Sequence, residues 1–218
     1  MGRSFFLSAE LQAYLIASAT PVDDVLRDLQ RETAALGGIA QMQVAPEQGA
    51  FLTILAAAIG AREVVEVGTF TGYSAICLAR GLASGGRLRC FDVSAEWTAI
   101  ARRYWERAGL ADRIELTLGP AAESLEALPA EPSLDLAFVD ADKTGYAGYV
   151  ELLLPRLRTG GLLLLDNTLR EGAVLPSSHS TDEGTRAIGD LNAALADDPR
   201  VEVVLLPLAD GVTIARKR

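Results

Sequence analysis

No stretch constrains the fold more tightly than Glu63-Val-Val-Glu-Val-Gly-Thr-Phe-Thr-Gly-Tyr-Ser74. The run Val64 to Val67, rich in β-branched residues, reads as a buried strand. It stops at Gly68, Gly72 follows four residues later, and an apolar helical pattern begins after Ser74. Strand, glycine turn and helix in that order open a nucleotide-binding βαβ unit. The spacing is not Gly-x-Gly-x-x-Gly, and Glu66 sits just ahead of the turn, where it would repel a phosphate. The turn therefore suits a ligand with a positive or neutral group and no pyrophosphate. The sulfonium and amino group of S-adenosylmethionine meet that description; an ordinary tight βα turn is the alternative.

The rest of the chain repeats the alternation. Strands are expected at 87–92, 114–118, 134–140 and 162–167, with helices at 74–82, 95–108, 123–128 and 146–157 between them. The glycine pairs 85–86 and 160–161 serve as turns. Such alternation gives a mostly parallel sheet with helices on both faces. After a polar loop at 168–181 and a helix at 182–195, short strands at 201–206 and 212–215 flank Pro207-Leu-Ala-Asp-Gly211, a hairpin spacing. The expected fold class is α/β, doubly wound and Rossmann-like, with seven strands and an antiparallel C-terminal hairpin. Helices at 8–19, from Pro21 to the glycines at 37–38, and from Pro46 to Gly60 precede the first strand. They make residues 1–60 a helical cap on a core at 61–218, within one domain spanning 1–218.

Composition narrows the function. A chain of 218 residues with 50% hydrophobic residues can bury a substantial core. A net charge of −9 argues against a surface that tracks nucleic acid. Cys77 and Cys90 stand alone in apolar settings and read as buried thiols. Met1 to Leu7 lacks the pattern of a secretory leader, and no run is long and apolar enough to span a bilayer. The expectation is a cytoplasmic protein with no membrane or nucleic-acid partner. His179, the lone histidine, lies in a polar loop and is given no catalytic role. The aromatic stripe of Trp97, Tyr104 and Trp105 reads as core packing.

Chemistry gathers at strand ends, where open α/β sheets bind ligands. Asp92 ends the second strand, 24 residues past Gly68, close to the ~20 at which an acid meets ribose hydroxyls; a plain turn residue is the alternative. An apolar strand runs into Asp140-Ala-Asp-Lys143, and the next ends in Asp166-Asn167. A solvated charged corner would explain the first cluster alone. Two adjacent strands ending in oxygen-bearing side chains favour a convergent site.

These segments carry a resemblance. Met42-Gln-Val-Ala-Pro-Glu-Gln-Gly, Val65-Glu-Val-Gly-Thr-Phe-Thr-Gly-Tyr-Ser, Phe138-Val-Asp-Ala-Asp-Lys, Asp166-Asn-Thr-Leu and Leu208-Ala-Asp-Gly-Val-Thr resemble the cation-dependent O-methyltransferases of the caffeoyl-CoA and catechol type. Among these, bacterial saframycin-pathway enzymes are similar also over Ala101 to Ile114. The resemblance implies that Asp140, Asp166 and Asn167 ligate a divalent metal, and that Val44, Glu66, Gly68, Thr69, Ser74, Asp92, Ala121, Asp140 and Asp142 line the S-adenosylmethionine site. It makes Lys143 the general base, with Asp140 beside it, and places Met42, Lys143, Asn167 and Arg170 near the acceptor. Two carboxylates and an amide suit a hard cation such as Mg²⁺. The implied acceptor is a small aromatic vicinal diol, in bacterial secondary metabolism, and the implied assembly is a homodimer.

Arg170 departs from the family, which commonly has Trp after Asp-Asn-Thr-Leu. It suggests an acceptor with a carboxylate near its ring, unless the side chain faces solvent. Two other functions compete: methylation of a hydroxylated uridine in tRNA, disfavoured by the negative charge, and cofactor binding without catalysis, disfavoured by the intact set of Asp140, Lys143, Asp166 and Asn167.

Overall fold

The computed structural model describes residues 7–218. All but Leu7 of the segment read as lacking a leader lies outside the described residues. Seven strands form one sheet in the order β3-β2-β1-β4-β5-β7-β6. They are β1 (Glu63–Val67), β2 (Arg87–Asp92), β3 (Ile114–Leu118), β4 (Leu134–Val139), β5 (Leu157–Asp166), β6 (Val201–Leu206) and β7 (Val212–Lys217). The first five run parallel, while β7 is antiparallel to both β5 and β6. Chain order reverses between β1 and β4, which creates the crevice typical of doubly wound sheets.

Eight α-helices surround the sheet among the described residues: α1 (Ala9–Ser18), α2 (Asp24–Ala34), α3 (Pro46–Ala58), α4 (Tyr73–Gly81), α5 (Ala95–Arg107), α6 (Ala121–Glu126), α7 (Tyr146–Leu153) and α8 (Glu183–Ala196). One apolar layer joins Leu29, Leu52, Ile76 and Leu78 to Leu88 and Phe138 of the sheet. The opposite layer joins Leu125, Tyr146, Leu153 and Ile188 to Val65, Leu163 and Leu165. The alternation of Val64 and Val65 between these layers is the period-two pattern of a strand buried on both faces. No described helix is long and apolar enough to cross a membrane.

Four local expectations change. The second helix does not begin at Pro21: Asp23 caps it by accepting from the Leu26 N–H at 3.0 Å, which satisfies an otherwise orphaned donor. Gly37 and Gly38 do not simply end it, since they open a 3-10 turn over Gly37–Met42 that carries the chain to α3. The segment expected as one helix over 146–157 stops at Leu153, and Pro155 sits in a 3-10 turn, because proline removes the N–H that an α-helix needs. Gly160 and Gly161 then lie inside β5, beside the register shift between Leu134 and Leu136. Gly160 has φ +80°, and the Gly161 Cα faces the Leu134 and Asp135 carbonyls so closely that a Cβ would sit 3.0 Å from the first. The pair forms a bulge where the sequence suggests a turn.

The cap is fastened to the core. Arg107 pairs with Asp28 at 2.7 Å and the Tyr104 hydroxyl donates to Glu32 at 2.9 Å, both linking α2 to α5. Beneath them the Thr33 hydroxyl meets the Thr71 hydroxyl at 2.9 Å, and the Gln43 amide donates to Thr33 at 3.0 Å. Thr71 belongs to the glycine turn, so the cap holds that turn directly. Cys77 and Cys90 are buried free thiols.

Candidate active site

The carboxyl ends of β1, β2, β4 and β5 open onto a cavity of about 990 Å³. Met42, Val44, Gly68, Thr69, Ser74, Asp92, Ala121, Asp140, Asp142, Lys143, Asp166, Asn167 and Arg170 all line it. Glu66 does not. It is completely buried behind the turn, while Thr69 and Ser74 form the wall in front of it.

The turn is shaped for close approach. Gly68 has φ +89°, and a Cβ there would fall 2.1 Å from the Asp140 carbonyl oxygen, so only glycine lets the exits of β1 and β4 meet. Asp92 braces the same turn: one carboxylate oxygen accepts from the N–H groups of Thr69 and Phe70, each at 2.8 Å, and the other from Ser94 at 2.7 Å. Of the two readings of this acid, ribose partner or turn residue, the structure shows the second directly: Asp92 fixes the loop. Phe70 packs edge-on against Trp97, ring centres 5.2 Å apart, and both line the cavity. Trp97 therefore faces the site and not the core; its place one turn after Asp92 is the signal in the sequence that it would.

Glu66 is the unusual group. The Cys90 thiol donates to its Oε2 at 3.3 Å, whereas Oε1 has no partner. Burial pushes the carboxyl up to about 8, with Ser74, Cys90 and Thr69 pulling the other way and the Asp140 charge adding to the rise. A buried carboxyl oxygen without a donor is costly, and an ammonium group in the cavity would complete it once Thr69 and Ser74 yield in front of it. This orphaned atom, together with the glycine cradle, fits S-adenosylmethionine.

At the other end of the cavity, β4 delivers Asp140 and β5 delivers Asp166 and Asn167. Asp140 Oδ1 accepts from the Lys143 ammonium at 3.0 Å. Asp166 is buried, and one of its oxygens accepts from the Asn167 N–H at 2.8 Å. Burial first, then the Asp140 charge, pushes Asp166 up to about 7, against the pull of Lys143 and Gln48. Gln48, inside the Met42–Gly49 motif but given no role there, lines this wall with its amide nitrogen buried. Among the described residues no three His, Cys, Asp or Glu side chains form a metal cluster, so a third protein ligand would be the Asn167 amide. The donor set is oxygen only, and added positive charge would relieve the mutual destabilisation of the two carboxylates. These residues fit a hard divalent cation.

Neighbouring elements set these side chains. The Tyr149 hydroxyl donates to Asp142 at 2.6 Å. Tyr146, fully buried, puts its hydroxyl 2.7 Å from Lys143 Nζ and 3.1 Å from the carbonyls of both Val139 and Asp166. Beyond β5, Thr168 and Leu169 donate their N–H groups to the Gly211 and Asp210 carbonyls at 3.0 and 2.9 Å, so the hairpin loop fixes the strand exit that carries Asn167. Arg170, with φ +49°, reaches toward Thr185 at 3.4 Å and Asp182 at 3.7 Å while remaining on the cavity wall.

The strand order, the crevice between β1 and β4 and the glycine turn define a Rossmann-like methyltransferase. Comparison with known proteins narrows the class. The O-methyltransferase family model matches residues 16–218, and the chain belongs to that family. It is 36% identical over 225 residues to a caffeoyl-CoA O-methyltransferase of Zea mays, covering 99% of this chain and 87% of that protein. An O-methyltransferase from Bacillus cereus, solved in complex with SAH, superposes with a TM-score of 0.87 at 36% identity, over 96% of this chain and 97% of that one. TomG from Streptomyces achromogenes, involved in tomaymycin synthesis and solved with SAM, gives 0.87 at 27% identity, over 95% and 96%. The chain is thus an S-adenosylmethionine-dependent O-methyltransferase of the caffeoyl-CoA type family.

Proposed function

We propose that this enzyme methylates a hydroxyl of a small catechol-type aromatic, with a divalent cation such as Mg²⁺ held by Asp140, Asp166 and Asn167, in bacterial secondary metabolism. The observation that carries the reading is the convergence of Asp140, buried Asp166 and Asn167 on the wall that also bears Lys143. Asp140, Asp166 and Asn167 would hold the cation, which would supply Lewis acidity toward a hydroxyl of the acceptor. The involvement of TomG in tomaymycin synthesis supports the metabolic setting.

The chain's own groups perform the remaining work. Lys143 takes the hydroxyl proton at Nζ. Glu66 Oε1 accepts from the donor's ammonium group once Thr69 and Ser74 yield in front of it, and Asp92 accepts from its ribose hydroxyls. The Phe70 and Trp97 rings flank the donor and exclude water. With donor and acceptor held in line, the acceptor oxygen bonds to the methyl carbon as the carbon–sulfur bond breaks, leaving its electron pair on sulfur. Orientation is the protein's main contribution to this step. Arg170 offers its guanidinium to an acidic substituent on the acceptor ring.

The direct test is a methyl-transfer screen of dihydroxylated aromatics with and without Mg²⁺. Turnover of catechols should vanish in EDTA and return with excess Mg²⁺, and Asp140→Ala should not turn over. A rate untouched by chelation refutes the metal reading. Turnover of monophenols alone refutes the diol reading.

A further inference from the structure

We propose that Tyr146 is the positioning residue of Lys143: its hydroxyl fixes where the lysine head sits in the cavity. The inference rests on the reading of Lys143 as the proton acceptor.

A phenol has one proton to give. The Tyr146 hydroxyl has two carbonyl acceptors, Val139 and Asp166, each at 3.1 Å, and they take that proton between them. Toward Lys143 Nζ, 2.7 Å away, the phenol oxygen therefore accepts, as the Asp140 carboxylate does 3.0 Å from the same nitrogen. Two acceptors fixed by the fold thus set where the lysine head sits on the wall of the cavity that Lys143 lines.

The same hydroxyl ties the ends of β4 and β5 together, so the lysine is referenced to the two strand tips that present Asp140 and Asp166. The side chain cannot drift, because Tyr146 is fully buried and the Lys143 ammonium lies 4.8 Å from its ring centre. On the far side, Gly184 of α8 approaches the Lys143 Cβ so closely that its own Cβ would sit 3.3 Å away. The stem is confined by packing, and the head by two acceptors.

Tyr146→Phe keeps the ring and removes the hydroxyl. Its kcat should fall about 10- to 100-fold, the scale on which misplacement of a reacting group acts. KM for S-adenosylmethionine, and the dissociation constant for S-adenosylhomocysteine measured by calorimetry, should remain unchanged. The decisive arm is a double-mutant cycle: in a Lys143→Ala background the same substitution should leave the residual kcat unaltered. Equal losses in both backgrounds, or weakened S-adenosylhomocysteine binding, would mean that Tyr146 merely supports the fold, and would overturn the proposal. So would wild-type kcat in Tyr146→Phe alongside an impaired Lys143→Ala. Full activity in Lys143→Ala would overturn the base reading itself, and this inference with it. Should the phenylalanine chain not fold, 3-fluorotyrosine inserted at position 146 retains the hydroxyl but makes it a poorer acceptor. Its kcat should drop with KM fixed, and an unchanged kcat would refute the idea.

Discussion

Replacing Glu66 by glutamine should make the protein more stable and a poorer binder of its methyl donor. Glutamine has nearly the same shape, can accept from the Cys90 thiol, and carries no charge. In the free protein Glu66 titrates at about 8, against 4.5 for an ordinary glutamate. The folded state therefore holds a proton that the unfolded chain has already released. Stability is complete below pH 4.5, falls through the window from 4.5 to about 8, and levels off above it. Each pH unit across that window is worth about 1.4 kcal/mol. The carboxyl consequently costs the fold about 3 kcal/mol at pH 7 and up to about 5 kcal/mol at pH 9, by the same linkage. The Glu66→Gln variant escapes this loss, so its melting temperature should match wild type at pH 4.5 and exceed it by roughly 10 °C at pH 9. Asp166, also pushed up by burial, contributes a similar slope to both proteins and cancels in the difference. Binding should run the opposite way: without the Oε1 charge, calorimetric affinity for S-adenosylmethionine should drop about tenfold or more, as expected for loss of a charge-assisted hydrogen bond. Thermal melts at pH 4.5, 7 and 9, with and without donor, measure both effects. A stability gap that does not widen with pH, or unchanged donor affinity, would refute the reasoning.

Gly68→Ala should destabilise the fold by at least ~3 kcal/mol in denaturant unfolding, because it adds left-handed strain to a Cβ 2.1 Å from the Asp140 carbonyl oxygen; a loss below ~1 kcal/mol would mean that the exits of β1 and β4 yield easily. Asp92→Asn loses acceptor capacity at a carboxylate holding three N–H groups, so KM for the donor should rise about tenfold with little change in kcat. Arg170→Trp should raise KM for an acidic catechol about five- to tenfold, and for a neutral one much less; equal effects on both acceptors would assign Arg170 to Asp182 and Thr185 alone.

The strands are legible because the chain marks them at both ends. β2, β3 and β6 occupy the expected residues, since each sets apolar residues at alternate positions and is closed by an acid, a glycine or a proline. The acids of the site are legible for the same reason: Asp92, Asp140 and Asp166 each terminate such a run. What cannot be read depends on partners distant in sequence. Glycines 160 and 161 look like a turn until β4 lies beside them and the bulge becomes visible. Tyr146 looks like core until the exits of β4 and β5 meet at its hydroxyl. Gln48, on α3, reaches the cavity only through the packing of the cap, and Glu66 gives no sign that it is sealed behind the turn instead of forming its surface.

The placement of β7 between β5 and β6 has a consequence for biogenesis. Until residues 210–217 arrive, β5 exposes an unpaired edge along Leu162–Leu165, and the exit that carries Asn167 lacks the carbonyls of Asp210 and Gly211. An open apolar edge of this kind invites pairing with another chain. During synthesis the donor half of the centre can close early, but the acceptor half must wait for β7. The nascent chain therefore stays unreactive, and its β5 edge stays exposed to aggregation, until that strand has paired.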